Sequence, residues 1–448
     1  MSMHVMKTII KTAALTLNFL ALTVALAAYG QVDTLIYGGT VLVTPGEKPL
    51  QAQTLLIEKG QIVRIDSGYK SALELELNDV DVIDLKDSYL LPGLIDMHVH
   101  LTFERDPNAN PHRWLTQEDA DQALTALPYL ARTLNAGFTT VRDLGGSYKV
   151  IFPLKRAVNA HTIKGPRIFA AGDFISASGG HGDLHGYRHD VTELFTGGLG
   201  ICNGADDCRR AVREVIKSGA DVIKITATGG VLSNTAAGVK QQLTDAELRA
   251  IVETAHSLGR KVTAHAHGTD GINAAIRAGV DSIEHGSYLN KESITLFKKH
   301  GTYLVPTLLA GATVTEEVLT NPAMPPAIVD KVKQVAPLME SAFRSALKHR
   351  INIAYGTDSG VSKHGDNSKE FALMVRYGMT PQQAIVSATR SAAQLLGQQN
   401  RIGDLEPGKY ADIIAVKGDP EQNIQLLSKV HFVMKEGVVY KHEKSHSD

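Results

Sequence analysis

The chain has almost no excess of charge: 46 basic side chains stand against 47 acidic ones over 448 residues, a net charge of -1. Without a dominant sign there is no electrostatic footprint for nucleic acid or for an anionic membrane surface. Cysteine is nearly missing, with only Cys202 and Cys208. That excludes a scaffold of many disulfides, and a zinc site built on two cysteines would need further ligands close by, which the sequence does not offer. Past residue 30 no apolar run is long enough to span a bilayer. The Gly-Gly pairs at 145–146, 179–180 and 229–230 match neither a dinucleotide-binding nor a phosphate-binding loop.

What is present begins with a leader. Lys7 and Lys11 precede an apolar stretch from Thr12 to Ala28, and Ala25-Leu26-Ala27 offers small residues for cleavage. Residues 1–28 read as a secretory signal peptide, which would place the mature chain in the periplasm or outside the cell, with no membrane contact once it is removed. A retained anchor is the competing reading, since about 17 apolar residues come near the thickness of a bilayer. Small and polar residues dilute the run, and a lipoprotein anchor would need a cysteine near the cleavage point. In an exported chain Cys202 and Cys208, with Gly204 between them, are expected to close a short surface loop as a disulfide.

Two regions of similar style flank a different middle. In residues 31–90, Asp33-Thr-Leu-Ile-Tyr-Gly-Gly-Thr-Val and Thr54-Leu-Leu-Ile-Glu-Lys-Gly-Gln-Ile-Val are β-rich runs broken by glycine turns. In residues 401–441, Tyr410-Ala-Asp-Ile-Ile-Ala-Val and Val430-His-Phe-Val-Met-Lys-Glu-Gly-Val-Val-Tyr have the same character. Both ends are expected to build one small β-sandwich domain, with 442–448 as a tail. Between them, residues 91–400 alternate short apolar strands with helical stretches, the pattern of parallel βα units. Eight strands are expected near Leu94–Met97, Thr139–Arg142, Arg167–Ala170, Val222–Ile225, Val262–Ala264, Ser282–Glu284, Tyr303–Val305 and Ile353–Tyr355. Helices are expected at Thr116–Asn135, Ala205–Ser218, Thr244–Leu258 and Pro326–Lys348. This is an α/β chain whose middle fits a (β/α)8 TIM barrel. A doubly wound sheet is the alternative, and it lacks a glycine-rich loop in support.

Histidine is abundant, with 18 residues, and several fall where an expected strand stops. The first barrel strand ends in Asp96-Met-His98-Val-His100. Side chains alternate along a strand, so both imidazoles face one side and can share a metal. Taken alone, His-x-His is common by chance. The fourth strand carries Lys224 in Asp221-Val-Ile-Lys-Ile-Thr. An ammonium in an apolar strand is costly to desolvate. It either snorkels from the strand end or has become a carbamate, an anion able to bridge two cations. Strand five ends in His265-Ala-His267, strand six in Glu284-His285 and strand eight in Asp358. Each could be an ordinary structural residue. Together they would open onto the carboxyl end of one barrel, where active sites of that fold lie.

The combination resembles the amidohydrolase superfamily over essentially the whole mature chain, including the split β domain and the motif Gly403-Asp-Leu-Glu-Pro-Gly-Lys-Tyr-Ala-Asp412. The resemblance implies two divalent metal ions, with zinc the first choice and Mn, Co or Fe also suited. It implies that His98, His100 and Asp358 hold one ion and His265 and His285 the other, with a carboxylated Lys224 bridging them. Ser178-Gly-Gly-His-Gly-Asp, Thr226-Ala-Thr-Gly-Gly-Val-Leu-Ser and Tyr355-Gly-Thr-Asp-Ser-Gly look closer to the branch with Xaa-Pro dipeptidases, imidazolonepropionase-like proteins and ochratoxin amidases. Imidazolonepropionases lack the bridging lysine, so Lys224 speaks against their reaction.

The expected reaction is hydrolysis of the amide before the C-terminal residue of a dipeptide or N-acyl amino acid, with Asp358 moving the proton to the leaving amine. Esterase, lactonase or phosphotriesterase chemistry on the same metal pair is the alternative. His181, on the loop after strand three, is the first candidate for substrate contact, with His267 and Tyr288 weaker ones. The apolar stretch Tyr303-Leu-Val-Pro-Thr-Leu-Leu carries no acid. If it lines the leaving-group pocket, the leaving residue is neutral or hydrophobic. The partner is thus a small molecule or short peptide, and a homo-oligomer stays open.

Overall fold

The computed structural model describes residues 32–443 except 107–108, 111, 194–199, 233–237, 323 and 325. The expected signal peptide and the last five residues of the expected tail lie outside them. The architecture is mixed α/β. Four strands come from the first part of the chain: β1 (Thr34–Val41), β2 (Leu50–Glu58), β3 (Gln61–Ser67) and β4 (Asp81–Pro92). Seven follow in the middle: β5 (Leu94–Val99), β6 (Phe138–Asp143), β7 (Arg167–Ala170), β8 (Val222–Thr226), β9 (Lys261–Ala266), β10 (Ser282–His285) and β11 (Tyr303–Val305). Three close the chain: β12 (Ile413–Val416), β13 (Phe432–Lys435) and β14 (Val438–His442).

The terminal strands form one sheet in the order β14-β13-β12-β4-β1-β2-β3, so both chain ends do build a single unit. Lys59-Gly60 joins β2 to β3 and Glu436-Gly437 joins β13 to β14, all four residues at positive φ. Two such residues in succession give the tight turn whose twist suits a hairpin. The two turns touch: a Cβ at Gly60 would stand 2.6 Å from the Glu436 carbonyl oxygen. The sheet therefore rolls on itself, and Leu55, Ile57 and Ile62 share a core with Ile413, Phe432 and Met434. One small β-sandwich domain from both ends was the expectation; continuous β4–β12 pairing from Tyr89 to Pro92 joins the two halves into one sheet.

The middle strands are parallel, in the orders β5-β6-β7 and β8-β9-β10-β11. Ile175 links the two groups, donating to the Lys224 carbonyl at 2.7 Å and accepting from Thr226 N at 2.9 Å. On the far side Leu304 pairs with Ile353, and Met97 N donates to the Tyr355 carbonyl at 2.9 Å. Backbone bonding thus passes through eight parallel segments and returns to β5. The eighth expected strand is present only as isolated bridges at Ile353 and Ser359. β5, β6, β8 and β10 are buried along their full length, as strands covered on both faces must be.

The helices supply that cover. In Ala205–Ser218 the residues Cys208, Ala211, Val212 and Val215 form a buried stripe at helical spacing. Asp245–Ser257 starts at a capping box in which Thr244 and Glu247 satisfy each other's backbone N–H. Cys202 and Cys208 are bonded, with an S–S distance of 2.07 Å. Both are fully buried rather than on the surface, because Cys208 lies on the inward stripe of its helix. After β11 the chain adds two packed helices, Leu308–Thr320 and Pro326–Lys348. The first is aimed by Thr307, at φ 49°, and capped by the buried Glu370 carboxylate, which accepts from Leu308 N at 2.9 Å and Leu309 N at 2.6 Å. No helix among the described residues is long and apolar enough to cross a membrane.

Candidate active site

At the carboxyl ends of β5, β8, β9 and β10 lies a cavity of about 1060 Å³, lined among others by His98, His100, His181, Lys224, His265, His267, His285 and Asp358. His100 Nε2 stands 3.2 Å and His98 Nε2 3.5 Å from Asp358 Oδ1. Lys224 Nζ is 3.5 Å from His98 Nε2. The ring centroids of His265 and His285 are 4.6 Å apart, and those of His98 and His285 5.3 Å. All six residues carried over by the resemblance therefore meet at one end of the parallel strands.

The imidazoles are oriented from behind. Nδ1 of His98 is bonded to Glu284 Oε2 at 2.9 Å, and Nδ1 of His100 to the Gly145 carbonyl at 2.9 Å. Nδ1 of His267 meets Ser287 Oγ and Nδ1 of His285 meets Thr307 Oγ1, each at 2.7 Å. With Nδ1 held, Nε2 is the atom left for a metal, the usual support for a ligating histidine. His265 is the exception, its Nε2 lying 3.4 Å from the Gly229 carbonyl.

Beneath the rings sits a buried polar network. Arg142 Nη2 donates to Glu284 Oε1 at 2.8 Å and Arg142 Nε to the Met97 carbonyl at 2.6 Å. Ser282 Oγ donates to the same carboxylate at 2.8 Å, and Thr263 Oγ1 also donates to it. Burial would raise Glu284, but Arg142 and His98 outweigh it and hold the carboxyl well below its usual range. Asp96 pins the opposite corner, accepting from His98 N at 3.0 Å, Thr357 Oγ1 at 2.6 Å and Asn367 Nδ2 at 2.7 Å.

Electrostatics keep His98, His265, His267 and His285 in the form a metal needs, whereas His100, against burial, is raised by its contact with Asp358. Burial, with the Lys224 charge adding to it, lowers His98 to about 4. Burial and neighbouring histidines hold His265 and His285 well below the usual value and bring His267 to about 3. Neutral imidazoles are the ligating species. Burial also brings Lys224 down to about 8. One donor atom each from His98, His285 and Asp358 falls within 4.8 Å of the others, and so it does for His265, His267 and His285. Two overlapping groups of buried nitrogen and carboxylate donors fit divalent cations.

The model of the Amidohydrolase family matches residues 89–440. The chain belongs to the amidohydrolase family. It is 31% identical over 430 residues to the ochratoxinase of Aspergillus niger, covering 91% of this chain and 86% of that protein. A crystal structure of an Xaa-Pro dipeptidase with methionine bound in its active site is 40% identical, with a TM-score of 0.84 and coverage of 91% of this chain and 99% of that one. A prolidase complexed with N-methylphosphonate-L-proline is 31% identical, with a TM-score of 0.82 and coverage of 92% and 100%. As an amidohydrolase the protein is a hydrolytic enzyme.

Two expectations shift in this amidohydrolase, and one residue gains a second possible part: His267 lines the cavity, and its donor atom also falls within 4.8 Å of those of His265 and His285. Tyr288 does not line it. His285 and Gly286 both take positive φ, which ends the strand alternation that would have aimed the tyrosine inward. Tyr303–Leu309 does not line it either; Ala310, Gly311 and Val314 of the following helix do. His181 is in the wall as expected, its ring 4.3 Å from that of His265. Arg142, Glu284 and Asp96 went unread, although a charged residue within a short apolar strand is the signal that marked Lys224.

Proposed function

We propose that the protein is an exported enzyme with a (β/α)8 barrel and two divalent metals, zinc first, bridged by carboxylated Lys224. It would cleave the amide before a neutral or hydrophobic C-terminal residue of dipeptides or N-acyl amino acids. The observation that carries this is the meeting of His98, His100, Lys224, His265, His285 and Asp358 in one cluster, all but His100 buried. The closed course of eight parallel segments supports the barrel, and the buried disulfide supports an oxidising compartment.

Two divalent cations held there would supply Lewis acidity toward a carbonyl and lower the pKa of a water to near neutrality. The protein's own part is positioning and proton movement. Glu284 and Arg142 fix His98, and Gly145 fixes His100. Asp358 lies against both rings, and their charge and hydrogen bonding overcome burial to hold its carboxyl below the usual range. It is therefore an anion that can take a proton and return it to the leaving amine.

The leaving-group preference rests on the added helices. Val314, Val332 and Met339 give the cavity an apolar wall, and the acid among them, Glu317, is engaged by Arg105 at 2.7 and 2.8 Å. Methionine, bound in the related Xaa-Pro dipeptidase, has a side chain of this neutral class. Ester and phosphotriester hydrolysis gain no support from these neighbours. The test is kcat/KM across a panel of dipeptides and N-acyl amino acids with simple lactones as controls. Neutral C-terminal residues are expected to lead; preference for basic ones or faster lactone turnover would overturn the reading.

A further inference from the structure

Asp143 ends β6, fully buried and set behind the cavity wall rather than in it. Its Oδ2 accepts from Leu101 N at 2.7 Å and its Oδ1 from Gly145 N at 3.3 Å. Leu101 directly follows His100, and the Gly145 carbonyl is the group that holds Nδ1 of His100 at 2.9 Å. One carboxylate therefore grips the backbone on both sides of a single imidazole.

The Gly145-Gly146 pair, which fits no dinucleotide or phosphate loop, has its use here. A Cβ at Gly145 would stand 3.3 Å from His100 Cε1 and 2.8 Å from the Phe174 ring, and one at Gly146 2.7 Å from Thr102 Oγ1. A turn without side chains at these two places lets the segment after β6 lie against residues 100–102. Asp143 then fixes how the two segments meet. Two N–H groups, one from each, need two acceptor oxygens, and among side chains of this size a carboxylate offers them. An asparagine of the same shape would turn its amide nitrogen toward one of the two donors.

His98 and His100 are thus backed differently. Nδ1 of His98 meets the Glu284 carboxylate itself at 2.9 Å, whereas His100 meets a neutral carbonyl whose place depends on Asp143. The support His100 receives is placement more than charge.

We propose that Asp143 is the positioning residue for His100, acting through Leu101 and Gly145 to set where Nε2 of that ring points. This rests on the reading of His100 as a metal ligand. In that reading His100 shares an ion with His98 and Asp358, while His265 and His285 hold the other. Asp143 should therefore govern one ion and leave the second nearly untouched.

The test is a double-mutant cycle read by metal titration against a competing chelator. It uses mature enzyme stripped of metal and reloaded, as wild type, Asp143→Asn, His100→Ala and the double variant. Asp143→Asn should weaken one ion on the order of 10- to 100-fold and the other by less than about threefold. In the His100→Ala background the same substitution should change affinity by less than about threefold, because its effect passes through a ring no longer present. Asp412→Asn is the control for general loosening. It removes an equally buried carboxylate at the start of β6 and β7, where it binds Thr139 and Arg167, and should leave both ions in place. Should Asp143→Asn not fold, Gly145→Ala, which crowds His100 while keeping the carboxylate, carries the same cycle. Equal weakening of both ions, an unchanged Asp143→Asn, or an undiminished loss in the His100→Ala background would overturn the proposal. Metal affinity indifferent to His100→Ala would defeat the reading of that ligand; affinity that depends on His100 but not on Asp143 would defeat this proposal alone.

Discussion

The floor and the roof of the cavity are built in opposite ways. The floor is polar, buried and fully engaged: Glu284 alone accepts from Arg142, Ser282 and Thr263 and meets His98. The roof is apolar, contributed by the two helices between β11 and the eighth parallel segment, and among the described residues it carries few polar groups. The floor holds donors in one geometry, as the proposed two-metal chemistry requires. In the proposed function the roof sets which molecule fits, so reaction type and substrate choice would sit on different parts of the chain, and substitutions should separate them.

The largest effect is expected at the floor's edge. Lys224→Ala should lose nearly all activity, at least on the order of 1000-fold in kcat, together with bound metal. Added short carboxylic acids should restore part of both. A fully active variant would end the bridging role and blur the contrast between floor and roof.

Glu284→Gln asks whether the network beneath the rings acts through the metal. Loss of this support should lower metal affinity on the order of 10- to 100-fold. It should also destabilise the fold by about 3 kcal/mol, because Arg142 would keep its charge in the interior. Metal titration and urea unfolding read the two effects. Unchanged metal affinity would make the network merely structural.

At the roof, Met339→Ala should raise KM for substrates with large apolar groups roughly tenfold, the worth of a few buried methylenes, with kcat and metal content unaltered. A fall in kcat with loss of metal would show that roof and floor are not separable. Reduction of Cys202–Cys208 should be the mildest change. A closed loop this short contributes about 2 kcal/mol in the chain-entropy account. Urea unfolding with and without reductant measures it, and kcat should stay as it was.

The same contrast governs what could be read from sequence. The candidate metal donors were legible because the chemistry proposed for them needs particular residue types where strands end, as at His98, His100 and Asp358. Glu284 was not, since a carboxylate beside a ligating histidine looks like an ordinary neighbour until Arg142, distant in sequence, is brought to it. Pro326–Lys348 was recognisable as a helix from its pattern, but its place over the cavity depends on Thr307 taking positive φ and on Glu370 capping the helix before it. Neither leaves a periodic trace. The rolled terminal sheet was half legible: the Lys-Gly and Glu-Gly turns are local signals, whereas β4–β12 pairing is a contact between chain ends.

Metal content tests the central claim most directly. Elemental analysis of active mature enzyme, with activity followed as a strong chelator removes the ions, should give close to two divalent ions per chain and activity that falls with their loss. One ion or none in fully active protein would contradict the account.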